Sequence, residues 1–331
     1  MRYLKSVALI VYGCALPRLR FAIYGCALPR LRFAILMVAA LIPAWTVLGQ
    51  QRGETLVWAP VPTTPAGWTA PNKPHWKLSE ILASHQRETA WKETVVSDSL
   101  LHADYIQLAP GTKTKRQFQP DNRVWWVIQS GQVKFNIEGQ DPFVATKGFL
   151  VQAPYRNIYN MEVVGNAPAL FLEVTTAGTQ VMYPLDETPA PVPGMEFLKV
   201  RITGKGKYDE LNRPYFDFNT MVADSKFQQK PFVTDVRAFA NIIRGNPQKD
   251  NPKDKGHFHE VSGEFWFILE GQIEYKIGSL PIFLAGQGDI VYVPKQIWHR
   301  AHHGGSGPST RLAMNGYPDL LHDFQPNEEL Q

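Results

Sequence analysis

Four residues in the second half of the chain have side chains of the types that bind transition metals. His257 and His259 are one residue apart in KGHFHEVSGEFWFILEG, Glu264 follows in the same stretch, and His299 ends GDIVYVPKQIWH. Three neutral imidazoles and a carboxylate suit Fe, Mn, Ni, Cu or Zn, and they leave one or two coordination positions for water or substrate. The pattern therefore predicts one divalent transition metal, of undetermined identity, at a site open to reaction.

The first half of the chain contains a similar stretch, KRQFQPDNRVWWVIQSGQVKFNIE, which has no histidine. Turn and core residues recur at a constant offset of 140 positions: Trp126 and Trp266, Gly131 and Gly271, Gln132 and Gln272, Phe143 and Phe283, Gly148 and Gly288, Pro154 and Pro294, Leu172 and Leu312. A single offset that holds turn glycines and prolines in register indicates an internal duplication.

The same offset shows what the first unit carries at the four metal-binding positions. His257, His259, Glu264 and His299 correspond to Gln117, Gln119, Val124 and Tyr159. None of these four counterparts has an imidazole or a charge. We therefore expect a metal in the second unit only.

The elements that position these residues are predicted to be short strands. Runs such as RVWWVIQ, GFLVQAP, EFWFILEG and DIVYVP alternate with turns, whereas KLSEILASH is the one short stretch with helical spacing. Alternate strand residues face the same way, so His257 and His259 should point into one cavity, with Glu264 following after a turn at EVSG. A closed barrel would bring His299 opposite them.

These stretches resemble the two motifs of the cupin superfamily. GHFHEVSGEFWFILEG is similar to the first motif, with its H-x-H, its glutamate and its closing glycine, and GDIVYVPKQIWH is similar to the second. The resemblance covers roughly residues 100 to 320 as two units, so the chain is similar to the bicupins. It implies an all-β fold of two double-stranded β-helix (jelly-roll) barrels, with His257, His259, Glu264 and His299 as ligands. The first unit departs from the motif at all four positions.

The resemblance leaves several functions open, because cupin barrels host different reactions and also binders that do not react. A single metal unit resembles secreted bicupin dioxygenases that act on phenolic compounds. Oxalate-type bicupins fit less well, because they usually keep ligands in both units and need an inward arginine. The alternatives are a metal-dependent binding protein for a sugar or organic acid, and a cupin isomerase or lyase. In the enzyme, we expect Glu264 to be catalytic, as a general base as well as a ligand.

Four further residues are candidates for the substrate pocket. Trp266 and Ile268 follow Glu264 at alternate positions and could line an apolar pocket or form ordinary core. His303 could support the site through His299 or be solvated, and Arg311 could anchor a substrate or face outward. His75 and His85 have no ligand-type neighbours and are expected at the surface.

The domain organisation follows from composition. We expect a signal peptide at 1–49, a proline-rich arm with a short helix at 50–99, a cupin unit without metal ligands at 100–180, a proline-rich linker at 181–196, and a metal-binding cupin unit at 197–331. The run FAILMVAALIPAWTVLG follows arginines and ends in small residues, which predicts cleavage near Gly49 and export to the periplasm or beyond. The alternative is an uncleaved membrane anchor.

Removal of residues 1–49 changes the charge and the cysteine content. The segment holds six Lys or Arg and no acid, so the 34 basic residues become 28 against 30 acidic ones. A basic face for nucleic acid is therefore not expected. Cys14 and Cys26 both lie in this segment, which excludes a disulfide or cysteine nucleophile in the mature chain. The expected partner is a small molecule, without stable membrane association; a homo-oligomer is left open.

Overall fold

The computed structural model describes residues 58, 60, 62–64, 66–247 and 256–316. The predicted leader at 1–49, with Gly49, Cys14 and Cys26, lies outside the described residues. Strands dominate the described part, so the predicted all-β fold is confirmed. No α-helix in this part combines the length and apolar character needed to span a bilayer.

Two short elements belong to the arm that precedes the first barrel, and one short helix follows that barrel. They are β1 (His75–Trp76), α1 (Leu78–Ser84) and α2 (Phe218–Val222). The predicted helix at KLSEILASH is therefore confirmed.

The first barrel is formed by one six-stranded and one three-stranded antiparallel sheet. Its strands are β2 (Trp91–Ser97), β3 (Leu101–Leu108), β4 (Val124–Ser130), β5 (Gln132–Ile137), β6 (Phe143–Thr146), β7 (Phe149–Ala153), β8 (Tyr159–Val163), β9 (Ala169–Thr176) and β10 (Tyr215–Asp217). The larger sheet has the order β10-β7-β4-β9-β3-β2, and the smaller sheet the order β6-β5-β8.

The second barrel repeats this plan. Its strands are β11 (Gln229–Thr234), β12 (Ala238–Gly245), β13 (Glu264–Glu270), β14 (Gln272–Ile277), β15 (Phe283–Gly286), β16 (Ile290–Val293), β17 (His299–Gly304) and β18 (Ser309–Gly316). The larger sheet has the order β1-β16-β13-β18-β12-β11, and the smaller sheet the order β15-β14-β17.

The duplication predicted from the sequence extends to backbone detail. From β4 and β13 onward, equivalent strands begin 140 residues apart, except that β16 starts one residue later than its counterpart, while β3 and β12 are 137 apart. Arg156 and Gln296, also 140 apart, both adopt left-handed backbone conformations, with φ of 61° and 62°. A non-glycine residue rarely adopts this conformation, so its recurrence at one position supports a shared backbone.

Each barrel completes its larger sheet with an edge strand from elsewhere in the chain. β1, from the arm before the first barrel, pairs with β16 of the second. β10 follows the linker and pairs with β7 of the first. The stretch YFDFNTMV, at 215–222 within the range predicted for the second cupin unit, therefore begins with a first-barrel strand and continues as α2. The domain boundaries given above stay predictions.

The expectation that His75 and His85 lie at the surface is wrong. The side chains of His75 and His85 are 14% and 15% exposed. The Nε2 atom of His75 lies 2.8 Å from Oδ2 of Asp289, and the ring of His85 stacks on Trp91 at 4.3 Å. Both rings fasten the arm region to packed strands.

The apolar runs of β4 and β13 are explained by burial on both faces. Trp125 and Phe265 belong to a core between the two large sheets, which contains residues of both barrels. Trp126 and Trp266, one residue on, point into the first and second barrel interiors. A strand buried on both sides has no polar face, which explains why these runs lack polar alternation.

Candidate metal centre

The four predicted metal-binding residues meet inside the second barrel. Glu264 is the first residue of β13 and His299 the first of β17. His257 and His259 precede β13 in an irregular segment, where His257 pairs with His299 through two backbone hydrogen bonds of 2.9 and 2.8 Å. The regular strand expected at the H-x-H pair is therefore replaced by one isolated backbone bridge, between His257 and His299. Their role as ligands stays a prediction.

The imidazoles converge on one carboxylate oxygen. Oε2 of Glu264 lies 2.8 Å from Nε2 of His259, 3.1 Å from Nε2 of His299 and 3.8 Å from Nε2 of His257. One ligand atom from each of the four side chains lies within 4.8 Å of the others. No other group of this kind occurs among the described residues.

These separations fit a transition-metal coordination sphere. With bonds of about 2.1 Å, neighbouring ligands are separated by about 3.0 Å at right angles and about 3.4 Å at tetrahedral angles. The Glu264 to histidine distances of 2.8 to 3.8 Å span these values. The four side chains could therefore hold one ion with little rearrangement.

The orientation of His299 also favours a cation. Its Nδ1 lies 2.9 Å from the carbonyl oxygen of Ile297, and because a carbonyl only accepts, Nδ1 carries the proton and donates. In the neutral ring, the Nε2 lone pair then faces the Glu264 carboxylate. Two electron-rich groups in contact need a positive charge between them, and the second-nitrogen hydrogen bond is typical of metal-binding histidines.

Charge and burial act in opposite directions on the cluster. Burial alone would raise the pKa of Glu264, but the charge of His259 and close contact with the three imidazoles lower it well below its ordinary value. Burial lowers the pKa of His299, although Glu264 opposes that shift. Both shifts favour the protonation states that bind a metal, an ionised carboxylate and a neutral imidazole.

The cluster is closed on one side and accessible on the other. His259 and His299 are each 1% exposed, whereas the side chain of His257 is 30% exposed. A ligand would therefore approach along the His257 side.

The first barrel keeps the backbone of this site but not its chemistry. Gln117 and Tyr159 form the same bridge as His257 and His299. The Gln117 amide donates to the Tyr159 hydroxyl at 3.3 Å, and burial strongly raises the pKa of Tyr159, so its phenol stays neutral. Gln119 and Val124, the counterparts of His259 and Glu264, are both buried and uncharged.

The four predicted pocket residues all belong to the second barrel. Trp266 and Ile268 are 2% and 0% exposed and are part of its core. Trp266 also meets His299, with ring centres 5.3 Å apart. His303 is half-buried, with Nδ1 2.9 Å from the Ser309 hydroxyl oxygen.

An outward orientation for Arg311 is wrong. Arg311 alternates along β18 with Leu312 and Met314, which pack into the core between the barrels, and shares the other face with Ala313 of the second-barrel core. Its Nε and Nη1 atoms are buried. The sequence analysis also missed Tyr275, fully buried beside Trp266, although its alignment with Phe135 gives a signal: a phenol replaces a phenyl ring.

Comparison with known proteins identifies the fold. Residues 248–314 match the family model described as cupin domain. The salicylate 1,2-dioxygenase structure from Pseudaminobacter salicylatoxidans is 12% identical with a TM-score of 0.56, over 88% of this chain and 94% of that one. The cupin 2 conserved barrel domain protein from Leptotrichia buccalis is 11% identical with a TM-score of 0.50, over 72% and 94%. No curated protein matches by sequence.

Fold and site together define a two-barrel β protein with a three-histidine, one-glutamate cluster in one barrel. Its second barrel carries a cupin domain, at residues 248–314. At these identities the solved structures establish the fold alone.

Proposed function

We propose that the second barrel is the active site of a metal-dependent enzyme that oxidises a small organic substrate by dioxygenase-type chemistry. The observation that carries the proposal is the convergence of three Nε2 atoms on one oxygen of Glu264. A bound transition metal would supply a Lewis acid and a place for dioxygen or substrate oxygen. The similar salicylate dioxygenase structures, two of them in complex with gentisate, suggest phenolic compounds as first candidates.

The chain's own residues divide the work at such a site. His257, His259 and His299 would hold the ion through neutral nitrogens, and Glu264 would add the negative charge. Glu264 could also accept a proton from a bound hydroxyl group, which a histidine cannot do while its lone pair is used for coordination. The buried Trp266 ring borders the cluster at His299, and the Tyr275 ring packs against Trp266.

Oxygen uptake tests the proposal. The mature protein, loaded in turn with Fe, Mn, Ni, Cu and Zn, is mixed with a panel of phenols, sugars and organic acids in an oxygen electrode. We expect uptake that requires both metal and substrate, and none after chelation. If a compound binds only to the metal-loaded protein but neither oxygen nor the compound is consumed, a metal-dependent binding protein replaces the enzyme.

We also propose that the mature chain is exported after cleavage near Gly49. The support is the order of basic flank, apolar run and small residues within 1–49. N-terminal sequencing of exported protein should start close to residue 50. An intact Met1 on a membrane-bound chain would identify an anchor instead.

A further inference from the structure

Inside the second barrel, a set of buried polar groups near the metal cluster has no partner. They are Nε and Nη1 of Arg311, the hydroxyl of Tyr275 and Oδ1 of Asn241, none of which makes a hydrogen bond within the described part of the chain. Tyr275 is 0% exposed and Asn241 6%. Buried polar atoms nearly always have partners, so a group of unpartnered ones in one barrel indicates a missing ligand or water.

The first barrel shows that the fold does not require these groups. The strand registers align Arg311 with Phe171. Arg311 lies opposite Ile268 in the second barrel, and Phe171 lies opposite Ile128, the equivalent residue of the first. In the same way Tyr275 aligns with Phe135. Phe171 and Phe135 are both fully buried in an apolar core. The second barrel has thus exchanged two core phenylalanines for a cation and a hydroxyl.

A third exchange accompanies these two. His303 and Gly245 replace Val163 and Leu108 of the first barrel, so a larger polar ring stands beside a glycine. A Cβ at Gly245 would lie 2.5 Å from the His303 ring, so a side chain at this position would force the ring to move. Burial, followed by the charge of Arg311, lowers the pKa of His303 to about 4, so this ring is neutral at neutral pH.

The unpartnered groups and the metal cluster share one interior. The Trp266 ring lies 5.0 Å from the Tyr275 ring and 5.3 Å from the His299 ring. Tyr275 is therefore one aromatic ring away from the cluster. Burial raises the pKa of Tyr275, the charge of Arg311 lowers it and the charge of Glu264 raises it, so both charged groups act on this hydroxyl. A divalent ion bound to Glu264 would leave this interior with a net positive charge, which favours an anionic ligand.

We propose that Arg311 and Tyr275 form an anchor for the carboxylate of an acidic substrate whose other end reaches the metal cluster. The contact between the substrate and the metal cluster rests on the proposed function, whereas the carboxylate anchor does not. A guanidinium presents paired donors that match a planar carboxylate, and burial keeps the Tyr275 phenol protonated and able to donate. One guanidinium and one neutral hydroxyl suit a single negative charge, whereas a phosphate dianion would need further cations.

The test compares acids with their neutral amides. Acetate, benzoate and salicylate, each beside its amide, are titrated calorimetrically into the mature protein, with and without bound metal. We expect at least one acid to bind about tenfold or more tightly than its amide, because the amide lacks the charge that strengthens the hydrogen bonds. Arg311→Met should remove that preference, and Tyr275→Phe should reduce it less. Arg300→Gln, which removes a positive charge from neighbouring β17, should leave it unchanged.

Stability separates an anchor from a structural role. Since the Nε and Nη1 atoms of Arg311 are buried without hydrogen-bond partners, Arg311→Met should melt at the same temperature as the parent or higher in the absence of ligand. Equal binding of acids and amides, undiminished preference in Arg311→Met, or a melting temperature several degrees lower in that variant would each overturn the proposal. Tighter binding of inorganic phosphate than of any carboxylate would overturn the substrate class. Acid preference in the metal-free protein, without turnover after loading, would uphold the anchor while the oxygenase proposal fails.

Discussion

Glu264 is a buried acid whose environment holds it ionised. Three imidazole nitrogens lie within 3.8 Å of one of its oxygens, and they outweigh the burial that would otherwise raise its pKa. A carboxylate in this position balances part of the charge of an ion and also offers the lone pairs that a general base needs to accept a proton. Coordination and catalysis can therefore be separated by changing this residue alone.

Glu264→Gln should keep much of the metal and lose turnover. The amide oxygen and three histidines can still coordinate, but the amide cannot accept a proton, so we expect turnover to fall by on the order of a hundredfold or more. Metal content and rate are measured on the same preparation. Full turnover at full metal occupancy would limit Glu264 to coordination.

His303 gives a prediction for acid stability. Its pKa in the folded protein, about 4, lies below the ordinary 6.5, so the unfolded chain takes up a proton first as the pH falls. The stabilisation due to neutral His303 is complete above pH 6.5 and is lost as the pH falls toward 4. In metal-free protein, His303→Gln should therefore lose less stability than the parent between these pH values. Urea unfolding at each pH measures this, and identical slopes would contradict it.

At the scale of elements, the arm before the first barrel is fastened to the second by one carboxylate. Asp289 accepts hydrogen bonds from the backbone nitrogens of Leu78 and Gly286, at 2.9 Å each, and contacts His75. Next to His75, Trp76 is 8% exposed and joins the core between the barrels. The arm thus provides both an edge strand and core area.

Asp289→Ala should destabilise the protein and loosen the arm. It leaves donors from three residues unsatisfied, which we expect to lower the free energy of unfolding by about 1–3 kcal/mol. Thermal melting and proteolysis of the segment around β1 measure the two effects. Asp141→Ala, at an exposed turn of the first barrel, is the matched control and should change neither. Equal proteolysis of both variants would show that the pairing of β1 with β16 and the burial of Trp76 hold the arm without Asp289.

The duplication made much of this architecture predictable. Turn glycines and core tryptophans at one offset are local signals, and they locate β4, β5 and their counterparts from the sequence. The pairing of β1 with β16 and of β10 with β7 was not predictable. A strand of two or three residues has no periodicity, and its partner is distant in the chain. The orientation of Arg311 was missed for a related reason: an arginine on a strand normally faces water, and only the register of β18 shows otherwise.

At the scale of the whole molecule, one barrel holds the cluster of three histidines and a glutamate, and the other packs against that barrel. The large sheets of both barrels share a core that includes Trp125 and Phe265. The first barrel's interior holds Phe135, Tyr159 and Phe171 where the second holds the polar groups of the site. Buried charged groups reduce stability, and a neighbouring barrel filled with apolar side chains offsets that loss through the shared core.

This division predicts one transition metal per chain. The first barrel offers two amides, a valine and a neutral phenol at the four positions, none of which competes with imidazole or carboxylate for Fe, Mn, Ni, Cu or Zn. His259→Ala should abolish binding, since His259 is buried and lies closest to Glu264, at 2.8 Å. Gln119→Ala, the equivalent change in the first barrel, should leave the metal content at one. The measurement is the number of metal ions per chain, by elemental analysis of mature protein reconstituted with each metal in turn. Two ions per chain would indicate a site in the first barrel as well, and none would contradict the site in the second barrel.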